Sequence, residues 1–301
     1  MKIAIAGGTG FVGRALVNEL SKYEHEIVIL TRKAMKASEK ANIRYSQWLT
    51  DDANPVSDLQ NTDIFINLAG ESINSGRWTE ERKSEILSSR IEAVDAVLDI
   101  INQLDRKPRA LINASAIGIY GKSDNEVFTE NTERLGIDFL ADTVVKWEQE
   151  ASKAGPLGIR TVFCRFGIIL EKDAGALPKM LLPYKLFIGG NIGSGKQWMS
   201  WIHLEDVVKG IIFAMEKEQI QGPVNFTAPH PVIMSDFGKT LAQVLHRPHW
   251  LPVPSFALRL LLGEMSTLVV DGQKVLPKKL LDYGFQFQYP DLKMALKNIF
   301  S

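Results

Sequence analysis

The chain has 301 residues, 45% hydrophobic and 23% charged, a length and composition that suit one large folded body or a domain with a smaller appendage. Its 35 Lys and Arg balance 35 Asp and Glu, so no excess of charge points to nucleic acid or an anionic membrane surface. No run approaches the ~20 apolar residues that span a bilayer. The opening MKIAIAGGTG meets glycine too early for a secretory leader, and the single Cys164 excludes an internal disulfide and a cysteine-based zinc site. These exclusions predict a cytoplasmic protein with no metal, no nucleic acid and no membrane among its partners.

Lys2–Ala6 (KIAIA) reads as a buried strand, and Phe11–Lys22 as a helix with Val12, Leu16, Val17 and Leu20 on one face. Strands follow at His25–Thr31, Thr62–Leu68, Arg109–Ala114 and Ile159–Arg165, with helical patterns at Glu81–Leu104 and Phe139–Ala154. Such alternation predicts right-handed βαβ units and an α/β fold with a doubly wound parallel sheet over residues 1–168. Beyond residue 168 glycine and proline cluster, from Gly175 and Pro178 to Gly193 and Gly195. A helix at Leu204–Met215 and a strand at Pro223–Thr227 are expected to return to the sheet within residues 197–228. Residues 169–196 and 229–301 then form a smaller, mainly helical carboxyl-terminal substrate lobe over the sheet's carboxyl edge, with no strand expected from Ser235 onward.

The strongest local signal is Gly7-Gly8-Thr9-Gly10-Phe11-Val12-Gly13, set between the first strand and the first helix. The early glycines allow a tight turn and a close approach of backbone to a pyrophosphate. The last allows close helix–strand packing, and the helix amino terminus offers unpaired N–H groups to phosphate. The context predicts a Rossmann-type dinucleotide site. At the end of the second strand stands Thr31-Arg32-Lys33, where an NAD site would place a carboxylate for the ribose 2′-hydroxyl. A guanidinium there grips a 2′-phosphate, so NADP(H) is expected in preference to NAD(H).

GGTGFVG, INLAGE (Ile66–Glu71), SAIGIYG (Ser115–Gly121) and WIHLEDVV (Trp201–Val208) occur in the order seen in extended short-chain dehydrogenases/reductases. That family includes the NAD(P)-dependent nucleotide-sugar epimerases and dehydratases, and the resemblance covers essentially the whole chain. SSRIEAV, GGNIGSGKQWMSWIHLED, GPVNFTAP and LPKKLLDYGFQFQYPDL are similar to an atypical epimerase-like subfamily with a short carboxyl-terminal domain of unassigned role. Some of its members are described as cell-division inhibitors. The resemblance implies that Leu68, Ala69, Gly70 and Glu71 line the cofactor, that Arg90 stands near it on a helix, and that Asp206 caps and holds a helix.

The family's chemistry rests on a Ser/Thr four places before the YG tyrosine and a Tyr-x-x-x-Lys pair on a helix, the lysine lowering the tyrosine pKa. Here the hydroxyl position falls on Ala116 and the pair on Leu140 and Val144. Replacement candidates for the catalytic groups are Ser115, Tyr120 and His203, with Glu130 and Lys146 behind them. Each also has a bland reading, Tyr120 as a packed strand exit and His203 as a core histidine. Ser115 is read as a hydrogen-bond donor to a substrate carbonyl and is also placed among the cofactor-binding residues. The family's substrate-pyrophosphate arginine is replaced by the Trp198-Met199-Ser200-Trp201 stretch, read either as an apolar, stackable wall or as inter-lobe core.

Gly190–Lys196 imitates a Walker A loop but continues with Gln197, and His246-x-x-His249 flanks a proline, so neither ATP nor metal is expected. Phe256–Leu262 (FALRLLL) packs the lobe or offers a face for homodimer formation. The expectation is an NADP(H)-binding oxidoreductase or epimerase-like enzyme with non-standard proton-transfer groups, acting on an unidentified small-molecule substrate. The rival reading is a catalytically silent NADP(H)-binding sensor or interaction module, related by resemblance to cell division.

Overall fold

In the computed structural model, which describes residues 1–33, 35 and 38–301, β1 (Lys2–Ala6) buries all of Ile3 to Ala6. It leads through the glycine loop into α1 (Phe11–Leu20), then β2 (Glu26–Thr31), β3 (Ile43–Gln47), α2 (Val56–Leu59) and β4 (Ile64–Asn67). α3 (Glu80–Gln103), β5 (Ala110–Ala116), the short β6 (Val127–Phe128), α4 (Phe139–Ser152) and β7 (Arg160–Phe166) follow. Next come β8 (Ile168–Leu170), α5 (Leu177–Lys185), β9 (Trp198–Met199), β10 (Trp201–His203), α6 (Leu204–Glu216) and β11 (Gly222–Phe226).

Seven strands form one parallel sheet in the order β11-β7-β5-β4-β1-β2-β3, so the chain reverses its direction of winding between β1 and β4. In such sheets the crevice outside the carboxyl ends of the strands at this reversal receives the ligand. Because side chains alternate across a strand, Ile3 and Ile5 face α1 and α6, whereas Ala4 and Ala6 face α3. Both faces are covered, which is why these strands read as unbroken apolar runs. α3 starts at Thr79, whose side chain accepts from the Arg82 amide at 3.2 Å, and α4 at Asp138, which accepts from Ala141 at 2.9 Å. β3 was not expected. At the sheet edge its IRYSQ buries only Ile43 and Ser46 and exposes Arg44 and Gln47, so it lacks the apolar run that marks a central strand.

The remaining elements are β12 (Val232–Ile233), α7 (Met234–Leu245), α8 (Ser255–Leu262), α9 (Thr267–Val270), β13 (Lys274–Val275), α10 (Lys278–Asp282) and α11 (Leu292–Phe300). A second core joins Leu177, Leu181, Trp201, Phe237, Leu241 and Leu296 from α5, β10, α7 and α11. Contrary to expectation, the tail holds a strand: β13 pairs with β6 in parallel. From there the chain rejoins the large sheet, where Leu280 and Phe285 are part of the core under β11. Similarly, β9 pairs with β12 outside the main sheet.

Asp206, expected to cap a helix, does something else. The α6 cap is His203, while the buried Asp206 carboxylate accepts from the amides of Gln288 at 2.7 Å and Tyr289 at 2.9 Å, fastening the segment before α11 to α6. Asp206→Ala leaves two amides without an acceptor and should cost roughly 1–3 kcal/mol in urea unfolding; Asp206→Asn, which retains one acceptor oxygen, should cost less.

Candidate functional site

The turn after β1 is possible only with glycine. Gly7 has φ +78°, and a Cβ there would stand 2.7 Å from the Leu68 carbonyl carbon; one on Gly13 would stand 2.7 Å from Gly8 Cα. α1 therefore begins directly against the sheet. Its cap residue, Gly10, supplies no side-chain acceptor, and its first turn carries no acidic residue. The first amides of the helix have no acceptor inside it and are available to an anion.

A cleft of about 540 Å³ opens there, lined by Gly7, Thr9 and Gly10, by Thr31, Arg32 and Lys33, and by Leu68, Ala69, Gly70 and Glu71. The structure thus brings together ten of the residues expected at a dinucleotide. Gly8 and Gly13 pack inward against Ile29 and the loop backbone, and Phe11 packs toward Gly175. The turn after β4 is held by the buried Asn67, which donates to Asn113 Oδ1 at 2.8 Å and accepts from the Ala69 amide at 3.1 Å. Glu71 lies 3.4 Å from Arg82 and 3.8 Å from Arg32, whose side chain is 70% exposed. Trp48, Leu49, Ser89 and Glu92 also line the cleft, and no motif had marked them.

A second cavity of about 510 Å³ lies beyond the carboxyl ends of β5 and β7, between α3, α4 and the segment carrying α8 and α9. Ala116, Leu140 and Val144, the positions that the resemblance assigns to hydroxyl, tyrosine and lysine, all line it as apolar side chains. Trp78, Phe139, Trp147 and Trp198 add aromatic walls. Of the tryptophan stretch only Trp198 and Ser200 reach the cavity; Met199 and Trp201 are in the second core.

The polar groups of this cavity are largely engaged. Thr143 donates to the Phe139 carbonyl at 2.8 Å and Ser200 to that of Gln273 at 2.8 Å. Lys83 pairs with Glu80 and with Glu264 at 2.5 Å, and Lys122 with Asp271 at 3.3 Å. Arg90 differs. Its Nη1 donates to the Ile86 carbonyl at 2.6 Å, its guanidinium lies 5.1 Å from the Trp147 ring, and among the described residues it has no carboxylate partner. Burial pulls its pKa down to about 10, so it remains charged at neutral pH. Its stem also packs on Gly70, placing it between the two clefts.

Ser115, Tyr120 and His203 line neither cleft. Ser115 donates to Glu148 at 2.5 Å, and Glu148 takes both arms of the buried Arg165, at 2.8 Å each. Arg165 also donates to the Tyr120 hydroxyl at 2.9 Å, which donates in turn to Asn225 at 2.8 Å. Burial works against the charge of Arg165, yet Glu148 and Tyr120 hold its pKa above the usual value. Burial also raises the Tyr120 pKa, the opposite of what a tyrosinate base needs. Glu130 accepts from the amides of Asn225 and Lys279, and the surface Lys146 pairs with Asp142. His249 sits between Tyr184 and Asn191, at 3.0 and 2.9 Å, so the two histidines of the HxxH segment do not converge.

The chain belongs to the NAD dependent epimerase/dehydratase family, which it matches over residues 3–137, while residues 253–299 match a domain of unknown function. It is 51% identical to the epimerase family protein YfhF of Bacillus subtilis across 99% of this chain and 98% of that one. To the epimerase family protein SAR0825 of Staphylococcus aureus it is 46% identical, with 99% and 98% covered. Among solved structures it resembles the human epimerase family protein SDR39U1 with NADPH, at TM-score 0.88 and 31% identity over 99% of both chains. No helix of the described residues is long and apolar enough to cross a membrane.

His203 is 3% exposed, stacks on Tyr289 at 4.0 Å and accepts the Glu205 amide on Nδ1 at 3.1 Å. Burial lowers its pKa from 6.5 to about 4. The unfolded chain therefore takes up a proton near pH 6.5 that the folded one refuses until about pH 4, and this stability contribution is lost as pH falls through that window. Stability should drop by about 2 kcal/mol more between pH 7 and pH 5 in the native chain than in His203→Gln, as read by urea unfolding at the two pH values.

Proposed function

We propose that the chain binds NADP(H), in preference to NAD(H), along the first cleft, and acts as an oxidoreductase on a small molecule in the second cavity. The observation that carries the cofactor preference is the end of β2, where Thr31, Arg32 and Lys33 line the cleft and no carboxylate takes the place that a ribose 2′-hydroxyl would require. The human relative described with NADPH supports the same reading. Gly7, Thr9, Gly10 and the open amino terminus of α1 fit a pyrophosphate, and Leu68 to Gly70 fit the adjoining ribose. Arg32 is exposed and only loosely paired with Glu71, so it is free to take a phosphate. Bound there, the reduced dinucleotide supplies a hydride.

The second cavity supports reduction better than epimerisation or dehydration of a sugar. Those reactions need a base and an acid on the substrate, a contribution of roughly 10²–10⁴-fold in rate, and Leu140 and Val144 can supply neither. The same two side chains favour the rival reading, a dinucleotide-binding module that does not turn over. Multiple turnovers of NADPH with a carbonyl substrate would decide for the enzyme; stoichiometric binding with none would decide for the module.

Arg32→Ala should weaken NADPH binding roughly ten- to a hundredfold, the range for hydrogen bonds to a charged group, and hardly change NADH. Calorimetric titration of both cofactors measures this, and an equal loss for the two would remove Arg32 from the phosphate site.

A further inference from the structure

Reduction of an isolated ketone or aldehyde leaves an alkoxide about as basic as hydroxide, whose conjugate acid has a pKa of ~16. It therefore needs a proton donor in the wall of the site. In this cavity the family's donor positions are Ala116, Leu140 and Val144, and the hydroxyls of Thr143 and Ser200 are both given to carbonyl oxygens. What the cavity does offer is a fixed positive charge with N–H groups to spare, on Arg90, beside flat aromatic walls. Two phosphates of a nucleotide sugar would meet Arg90 as the one cation of this lining that has no carboxylate partner among the described residues, since Lys83 and Lys122 each face a carboxylate.

We infer that the second cavity is a quinone site, in which a flat conjugated ring dione stacks between the aromatic walls and one of its oxygens accepts from Arg90. The inference rests on the oxidoreductase reading above. A reduced quinone is an aryl oxide, and a phenol has a pKa of ~10, about six decades below that of an alcohol. It is stable as an anion beside a guanidinium and needs no acid from the protein. The quinone accepts one hydrogen with two electrons as hydride and becomes the hydroquinone monoanion. It then takes its second hydrogen from solvent as a proton, while the reduced nicotinamide dinucleotide is oxidised by the same two electrons. Arg90 is thereby the catalytic residue of the cavity, acting by charge and hydrogen bonding. Trp78, Phe139 and Trp147 shape the slot, the first two packed edge to face at 5.4 Å.

The test begins without cofactor, by titrating 1,4-naphthoquinone and naphthalene into the chain and following tryptophan fluorescence. Naphthoquinone should bind at least about tenfold more tightly, and Arg90→Leu should erase that difference while leaving naphthalene unchanged. With NADPH, anaerobically and after subtracting the enzyme-free rate, kcat/KM for naphthoquinone should exceed that for benzaldehyde by about 100-fold or more. Arg90→Leu should lose most of this and Arg90→Lys should recover part of it. Equal binding of naphthoquinone and naphthalene to the native chain, or equal turnover of naphthoquinone and benzaldehyde, overturns the assignment without recourse to any variant. A parallel NADPH titration separates the two readings. Tight NADPH binding without quinone binding overturns the quinone site alone; quinone binding without NADPH binding overturns the oxidoreductase reading.

Discussion

The first amides of a helix have no acceptor within it, and because α1 is capped by Gly10, which has no side chain to offer, they stay open at the head of the sheet. The approach of α1 to β1 and β4 is possible only because Gly7 and Gly13 carry no Cβ. It sets the positive end of the α1 dipole at the point where the sheet's winding reverses. The Asn67–Asn113 pair then fixes the neighbouring turn, and the basic end of β2 closes the cleft on its outer side. The result is a site whose charge complements phosphate before any ligand arrives.

The second cavity is built on the same scaffold with the opposite chemistry. α4 presents Leu140 and Val144 to it one turn apart, so the two places that the resemblance gives to tyrosine and lysine are apolar here. The polar side chains nearby are drawn instead into a buried chain from Ser115 through Glu148 and Arg165 to Tyr120 and Asn225. A bidentate, hydrogen-bonded ion pair of this kind is costly to break, because removal of one partner strands the other charge in the interior. It ties β5, α4, β7 and β11 together, and it leaves Arg90 with donors to spare at the cavity, where the Trp147 ring N–H is also without a partner among the described residues.

Much of the fold was readable in the chain because both faces of the central strands are buried. Continuous apolar runs and helical periodicity located β1, β2, β4, β5 and β7 to within a few residues. β3 escaped because an edge strand needs only one buried face and so carries a diluted pattern. β13 and β6 escaped because each is two residues long, too short for any periodicity. In the site, the residues found were those with a backbone task, the glycines and the turn after β4, together with the basic end of β2. Trp48, Trp78 and Phe139 went unnoticed, since an aromatic residue that lines a cavity has the same local pattern as one that fills a core.

The amino-acid sequence alone determined the dinucleotide turn, the basic end of β2 and the absence of a Tyr-x-x-x-Lys spacing from α4. Each of these depends on residue type at a short spacing, and backbone sterics and charge act at that range. Only the tertiary structure decided that Ser115, Tyr120 and His203 turn away from the clefts and that Arg90 turns into one. Which groups share a cavity is set by contacts between residues as distant as Arg90 and Trp147, or Tyr120 and Asn225. Such contacts exist only after the sheet has been wound and both of its faces have been covered.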